Sequence, residues 1–198
     1  PTGLSAVISA KALSIAAPTL ASKTYDGTTA AGSLTLGALS GLVNGEALGV
    51  SGSAAALSGQ DVGSYTTAVS YTLSNGTGLA SNYTLANDNA VSAAITARAL
   101  TISAPGVAGK TYDGTTSASI TAGTLGNLVG SETLTVSASG TFASANAGTQ
   151  NISASYTLGN GSGGGKASNY TLAAPTGLSA VISRLTVLIA GLKALDKV

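Results

Sequence analysis

Apolar residues recur at every second position through much of the chain. In residues 132–139, Leu134, Val136 and Ala138 fall on one side, and Thr133, Thr135, Ser137 and Ser139 on the other. Residues 99–104 alternate through Leu100 and Ile102, and Leu178, Ala180 and Ile182 do the same further on. A period of two puts successive side chains on opposite faces of a strand, so each run predicts a strand with one buried and one wet face. Clusters rich in Gly, Asn, Asp and Ser, such as residues 75–78 and 159–165, part these runs. Short strands at that spacing predict an all-β fold built as an antiparallel sandwich. Residues 188–198 come nearest to a helical period, and the register of the repeat described next assigns them to a strand and a loop.

The strand pattern occurs twice. Lys-Thr-Tyr-Asp-Gly-Thr-Thr stands at residues 23–29 and again at 110–116, and Ala-Ser-Asn-Tyr-Thr-Leu-Ala at 80–86 and 167–173. Both pairs are 87 residues apart, as positions 23 and 110 show. Ser-Tyr-Thr-Leu returns at 155–158 after 70–73, a spacing of 85, so small insertions are expected in the flanking loops. One of them coincides with the glycine-rich residues 159–165. Residues 1–9, Pro-Thr-Gly-Leu-Ser-Ala-Val-Ile-Ser, reappear unchanged at 175–183. Their counterpart from Ser92 leads directly into Ala-Arg-Ala-Leu-Thr-Ile-Ser, so this segment reads as the closing strand of a module. The expected organisation is a closing strand of a preceding module at 1–10, modules at 11–97 and 98–184, and the opening segment of a following module at 185–198. The array is expected to continue on both sides. The link over residues 94–100 holds neither Pro nor Gly, which favours a semi-rigid rod over a flexible string.

Composition narrows the chemistry. The chain has 198 residues with no Cys, His, Met or Trp, and only 8% of them are charged. Without His or Cys there is no Ser-His-Asp triad, no thiolate nucleophile and no cysteine or histidine metal cluster. The seven acids, Asp26, Glu46, Asp61, Asp88, Asp113, Glu132 and Asp196, are too scattered for a calcium loop or for a hydrolase's carboxylate pair. The expectation is a protein that is not an enzyme and has neither cofactor nor metal. A net charge of +1 with scattered Lys and Arg argues against nucleic acid as a partner. The apolar run at 185–192 falls well short of the ~20 residues that span a bilayer, so membrane insertion is not expected.

The strongest local signal is the turn triplet Tyr25-Asp26-Gly27, repeated as Tyr112-Asp113-Gly114. Gly accepts positive φ, Asp accepts hydrogen bonds from nearby amides, and each tyrosine is expected to place its ring in the core with the hydroxyl at the edge. Tyr83 and Tyr170, within Asn-Tyr-Thr-Leu, are expected to be second core anchors. Each Asn-Tyr-Thr is also a glycosylation sequon, in a chain where Ser and Thr make chance sequons common. A bolder reading is an isopeptide crosslink, with Lys23 attacking Asn82 beside Glu46, and Lys110 attacking Asn169 beside Glu132. It would need a lysine whose pKa is lowered enough to act as a nucleophile.

Taken together, Lys-Thr-Tyr-Asp-Gly-Thr-Thr, then Leu42-Val43 or Leu128-Val129 closely followed by Gly and Glu, then Ala-Ser-Asn-Tyr-Thr-Leu, resemble a family. The chain is similar to the YDG-type, mostly bacterial immunoglobulin-like (MBG) repeats of filamentous-haemagglutinin-like surface adhesins. The resemblance covers nearly the whole chain and departs at residues 54–57, which replace the Gly-x-Phe of residues 140–142 and put the pairing of one strand in doubt. It implies tandem immunoglobulin-like sandwiches, export to the bacterial cell surface and no catalytic residues. The function expected is a structural stalk or fibre-forming module that extends or assembles an adhesin in attachment or biofilm. Its partners would be neighbouring modules of the same chain and, in a filament, copies of itself. The alternative is a module binding a host or matrix glycan, or a protein, through loops such as 75–80.

Overall fold

A computed structural model describes residues 3–43 and 45–191. Almost all regular structure in it is β, and the helical turns among the described residues are two three-residue 3-10 segments, Ala80–Asn82 and Ala167–Asn169. The strands gather into several sheets in a sandwich-like fold. The alternation read from the sequence sets the faces. Along Leu134–Phe142 every second residue is half-buried until Phe142 is fully buried, and the Thr and Ser between them are exposed.

The chain divides into two compact units. The first is Pro1–Arg98 together with Ser168–Tyr170; the second is Ala99–Ala167 with Thr171–Val198. In the first unit the main sheet runs in the order Lys23–Thr24, Asp88–Thr96, Gly63–Asn75, Leu48–Ala54. Its three long strands are antiparallel, with Leu48 opposite Asn75 and Gly63 opposite Ile95. Lys23–Thr24 joins parallel to the end of the closing strand, Lys23 beside Ile95 and Thr24 beside Thr96. A smaller sheet pairs Lys11–Ile15 antiparallel with Leu39–Ser40 and parallel with Tyr83–Leu85. Leu13, Tyr25, Leu57, Val69, Tyr83, Val91 and Ile95 are buried in this unit.

The second unit repeats the scheme with one strand more. Its main sheet runs Lys110–Thr111, Ser179–Ser183, Gly148–Asn160, Leu134–Phe142, Ser117–Ala118. Phe142, Ile152 and Ile182 form its core, packed by Val107, Ala118, Ile120, Leu178 and Ala180. The doubtful strand at residues 54–57 resolves here. Leu57 is buried where Phe142 is, and its N–H donates to the Thr29 carbonyl at 2.7 Å as that of Phe142 donates to Thr116 at 2.7 Å. What the first repeat lacks is a strand at residues 30–31 to match Ser117–Ala118. Thr67 stands where Ile152 does, and its hydroxyl donates to the Ala55 carbonyl at 2.8 Å, just past the end of Leu48–Ala54.

The closing strand Asp88–Thr96 and the next opening strand Arg98–Ser103 are separated in sequence by Ala97 alone. Of the segment expected at 185–198, residues 192–198 lie outside the described residues. Leu185, Val187, Leu188 and Ile189 belong to no strand and are exposed.

Candidate functional site: the YDG turns

Each YDG turn is built the same way. Gly27 and Gly114 hold φ of 75° and 77°, the left-handed region where a Cβ is penalised. That reversal lets Asp26 fold back so that its Oδ1 accepts from the Thr28 N–H at 2.9 Å and from the Thr28 hydroxyl at 2.8 Å. Lys23 Nζ then spends its three N–H groups on Asp26 Oδ1 at 2.8 Å, the Thr28 carbonyl at 2.7 Å and Thr28 Oγ1 at 2.8 Å. In the second repeat Lys110 makes the matching contacts with Asp113 and Thr115 at 2.9, 2.8 and 2.8 Å. Lys110 Nζ also lies 5.5 Å from the centre of the Phe142 ring, a cation–π contact that Leu57 has no π-face to supply in the first repeat.

These contacts decide the electrostatics. The hydrogen bond from Lys23 holds the Asp26 carboxyl down at about 2, aided by Thr28 and opposed by burial. Asp113 is held at about 2 by Lys110 and then by the Thr115 amide and hydroxyl. Both are acceptors fixed in the charged state, with no proton to give near neutral pH. The turn is structural chemistry: a carboxylate and an ammonium that saturate each other and lock a reversal of the chain.

The isopeptide reading is corrected by the same geometry. Lys23 and Lys110 direct all three of their Nζ hydrogen bonds to the carboxylate, carbonyl and hydroxyl of their own turns, at Asp26 and Thr28 and at Asp113 and Thr115. Asn82 is exposed at the 3-10 turn before Tyr83–Leu85, a strand of a different sheet from the one that carries Lys23. Glu46 accepts the Tyr83 hydroxyl at 2.5 Å, and that hydroxyl accepts the Val43 N–H at 3.3 Å. The Glu46 hydrogen bond, followed by burial, raises the Tyr83 phenol. Glu132 is the equivalent position in the second repeat.

The tyrosines differ in a way the repeat did not predict. Tyr25 is 0% exposed, whereas Tyr112 is 42% exposed, so the expectation of a buried ring holds for the first turn and fails for the second. The cause lies within the first compact unit. The Tyr25 ring meets Tyr170 edge to face, centroids 5.4 Å apart at 79°. Next to Tyr170, Asn169 is 0% exposed; its Nδ2 donates to Asp61 Oδ1 at 2.8 Å and its Oδ1 accepts the Val62 N–H at 2.9 Å. Asp61 and Val62 went unnoticed in the sequence because nothing repeats there. Counting back from Gly63 and Gly148, where matching strands start, finds their equivalents, Asn146 and Ala147.

Two tandem, strand-built copies carrying one shared turn define the class: an all-β repeat protein. The YDG domain family matches residues 9–90 and 96–177, which together cover most of the chain. The chain belongs to the YDG-domain family and holds two copies of the domain. This corrects the resemblance drawn from the motifs: the match is to the YDG domain itself, and the assignment to the mostly bacterial immunoglobulin-like repeats of filamentous-haemagglutinin-like adhesins does not stand. No curated protein matches the chain, and no solved structure matches it.

Proposed function

We propose that the two domains are a structural spacer, repeated in tandem to hold an attachment protein out from the cell surface that carries it. The observation that carries this reading is the link of a single residue, Ala97, between a closing strand and the next opening strand. Repeats joined so tightly behave as a quasi-one-dimensional array, with stability that comes from each repeat and its neighbours. The YDG turns support the same reading, since their charged groups are consumed in fixing the backbone. The partners in this reading are neighbouring domains and further copies of the domain.

The test is small-angle scattering with electron microscopy on chains carrying two, four and six repeats. A longest dimension that grows in proportion to repeat number is the expected result; particles that stay compact as repeats are added overturn the spacer. The name YDG domain is shared by readers of 5-methylcytosine in DNA, so the same chains are titrated with fluorescent duplexes, methylated and unmodified. With a formal net charge of +1, no binding is expected at physiological salt. Micromolar affinity for the methylated duplex would replace the spacer with a DNA-reading function.

A further inference from the structure

We propose that Leu48–Ala54, an unguarded edge strand of the first repeat, pairs antiparallel with the same strand of a second copy of this chain. On one side the strand is bonded to Gly63–Asn75, in a register that runs unbroken from Leu48 opposite Asn75 to Ala54 opposite Val69. On its other side no strand pairs with it among the described residues. Two hydrogen bonds at its ends fix the direction of its backbone groups. The Ala55 N–H donates to the Ala68 carbonyl at 2.8 Å, and the Ala47 carbonyl accepts the Gly78 N–H at 3.1 Å. Facing pairs in an antiparallel ladder alternate between bonded and unbonded, so Gly49, Ser51 and Ser53 turn their N–H and C=O groups inward with Ala47 and Ala55. Leu48, Val50, Gly52 and Ala54 turn theirs to the open edge. The second repeat closes part of the same edge. There Ser117 and Ala118 pair with Thr141 and Gly140, and the Phe142 N–H donates to the Thr116 carbonyl. The first repeat has no strand at residues 30–31 to do this, so its edge is open along its length.

Exposed edges are commonly guarded by a charge, a proline or a bulge. Leu48–Ala54 has none of the three. Its solvent face carries only Gly49, Ser51 and Ser53, all exposed, while Leu48, Val50 and Ala54 are half-buried. A foreign peptide that adds to a sheet is selected by pockets for its side chains, and a face with nothing larger than serine builds none. What this edge matches is itself. With Ser51 opposite Ser51 of the copy, Leu48 faces Ala54 and Val50 faces Gly52, so every outward N–H and C=O finds a partner. The junctions of the array lie elsewhere in the domain. Asp88–Thr96, which leads into the next domain, is on the far side of Gly63–Asn75, and Lys11–Ile15, at the start of the domain, belongs to another sheet. The contact is two-fold and closes on itself, so it gives a dimer. Its seven residues a side fall short of the ~20–30 of a stable interface, which makes the pairing weak and visible at high concentration.

The pairing goes beyond the spacer reading and is tested apart from it. The chain has no cysteine, so single thiols report on the register. Residues facing each other at an unbonded antiparallel position lie about 4.5 Å apart at Cα, within reach of a disulfide. Ser51→Cys is held at high concentration in a glutathione buffer beside Ser53→Cys, two residues along the same face, and Ser70→Cys, exposed on the neighbouring strand. Disulfide-linked dimer is expected from Ser51→Cys at no less than ten times the yield of either of the others. A second arm uses charge. Ser51→Lys and Ser51→Glu each set like charges face to face, so each should be monomeric in sedimentation equilibrium where the unaltered chain dimerises, and their equimolar mixture should dimerise again. Circular dichroism of each variant checks that it is folded. A Ser51→Cys yield no higher than that of Ser53→Cys or Ser70→Cys, or dimers indifferent to charge at residue 51, overturn the pairing and leave the edge to a strand of another protein. Arrays that lengthen with repeat number without this dimer leave the spacer standing, and a dimer formed by arrays that stay compact removes the spacer alone.

Discussion

The turns at Tyr25 and Tyr112 share their lysine, aspartate and threonine hydrogen bonds, yet one tyrosine is sealed and the other is largely open. The difference separates two kinds of information. The polar lock is written within seven residues and forms in both repeats. Burial of the ring is supplied by Ser168–Tyr170, far away in sequence, and only the first turn receives it. The largest expected effect follows from this. Tyr25→Ala removes a buried aromatic ring and should cost about 3–5 kcal/mol, whereas Tyr112→Ala, at a half-open site, should cost about 1 kcal/mol in dilute solution. Urea denaturation fitted with a transition for each compact unit measures both. Equal losses would mean that the packing of Tyr170 on Tyr25 contributes nothing, and would break the comparison.

The asparagines sharpen it on a smaller scale. Asn169→Ala deletes the hydrogen bonds to Asp61 and to the Val62 amide from a fully buried site, at an expected cost of about 1–3 kcal/mol. Asn82→Ala, at an exposed position with the same neighbours in sequence, should stay within about 0.5 kcal/mol. Amide exchange adds a local readout: the Val62 amide should lose protection in Asn169→Ala and keep it in Asn82→Ala.

Much of this architecture is legible in the sequence, for identifiable reasons. Alternation in residues 132–139 predicts the strand Leu134–Phe142 with its faces assigned, because a period of two leaves no other arrangement with one buried side. The Asp-Gly pair predicts the turn because few residues accept the φ of Gly27. The parallel placement of Lys23–Thr24 on Asp88–Thr96 is not legible, since a two-residue strand has too little pattern to declare a partner. Nor is the equivalence of Leu57 and Phe142, where a side chain of different shape fills the same position under the same backbone hydrogen bond. The isopeptide set failed for a related reason. Recurrence of Lys, Asn and Glu records the repeat, while the lysines bind their own turns and Glu46 binds the Tyr83 hydroxyl. The asparagine contact escaped because Asp61 and Asn146 differ, so a search for identity passes over them.

The smallest expected effect tests the half of the comparison in which the turns agree. Asp26 and Asp113 titrate at about 2 when folded, against an ordinary value of 3.8. A carboxyl whose folded pKa is depressed adds stability that is complete above the unfolded pKa. It is lost as pH falls through the folded value, because the unfolded chain takes up the proton first. Stability should therefore be flat near neutrality with respect to these groups and decline between about pH 4 and pH 2. The decline is modest, since both carboxylates are about half exposed and screened by water. Carbon-detected NMR of the aspartate carboxyls follows each turn separately. Lys23→Gln removes the main cause of the Asp26 depression, so that midpoint should climb toward 3.8 while Asp113 stays at about 2. If both midpoints moved together, the two locks would be coupled through the fold. If neither moved, the threonine amide and hydroxyl alone would hold the carboxylate, and the lysine would matter only for the backbone carbonyl it also binds.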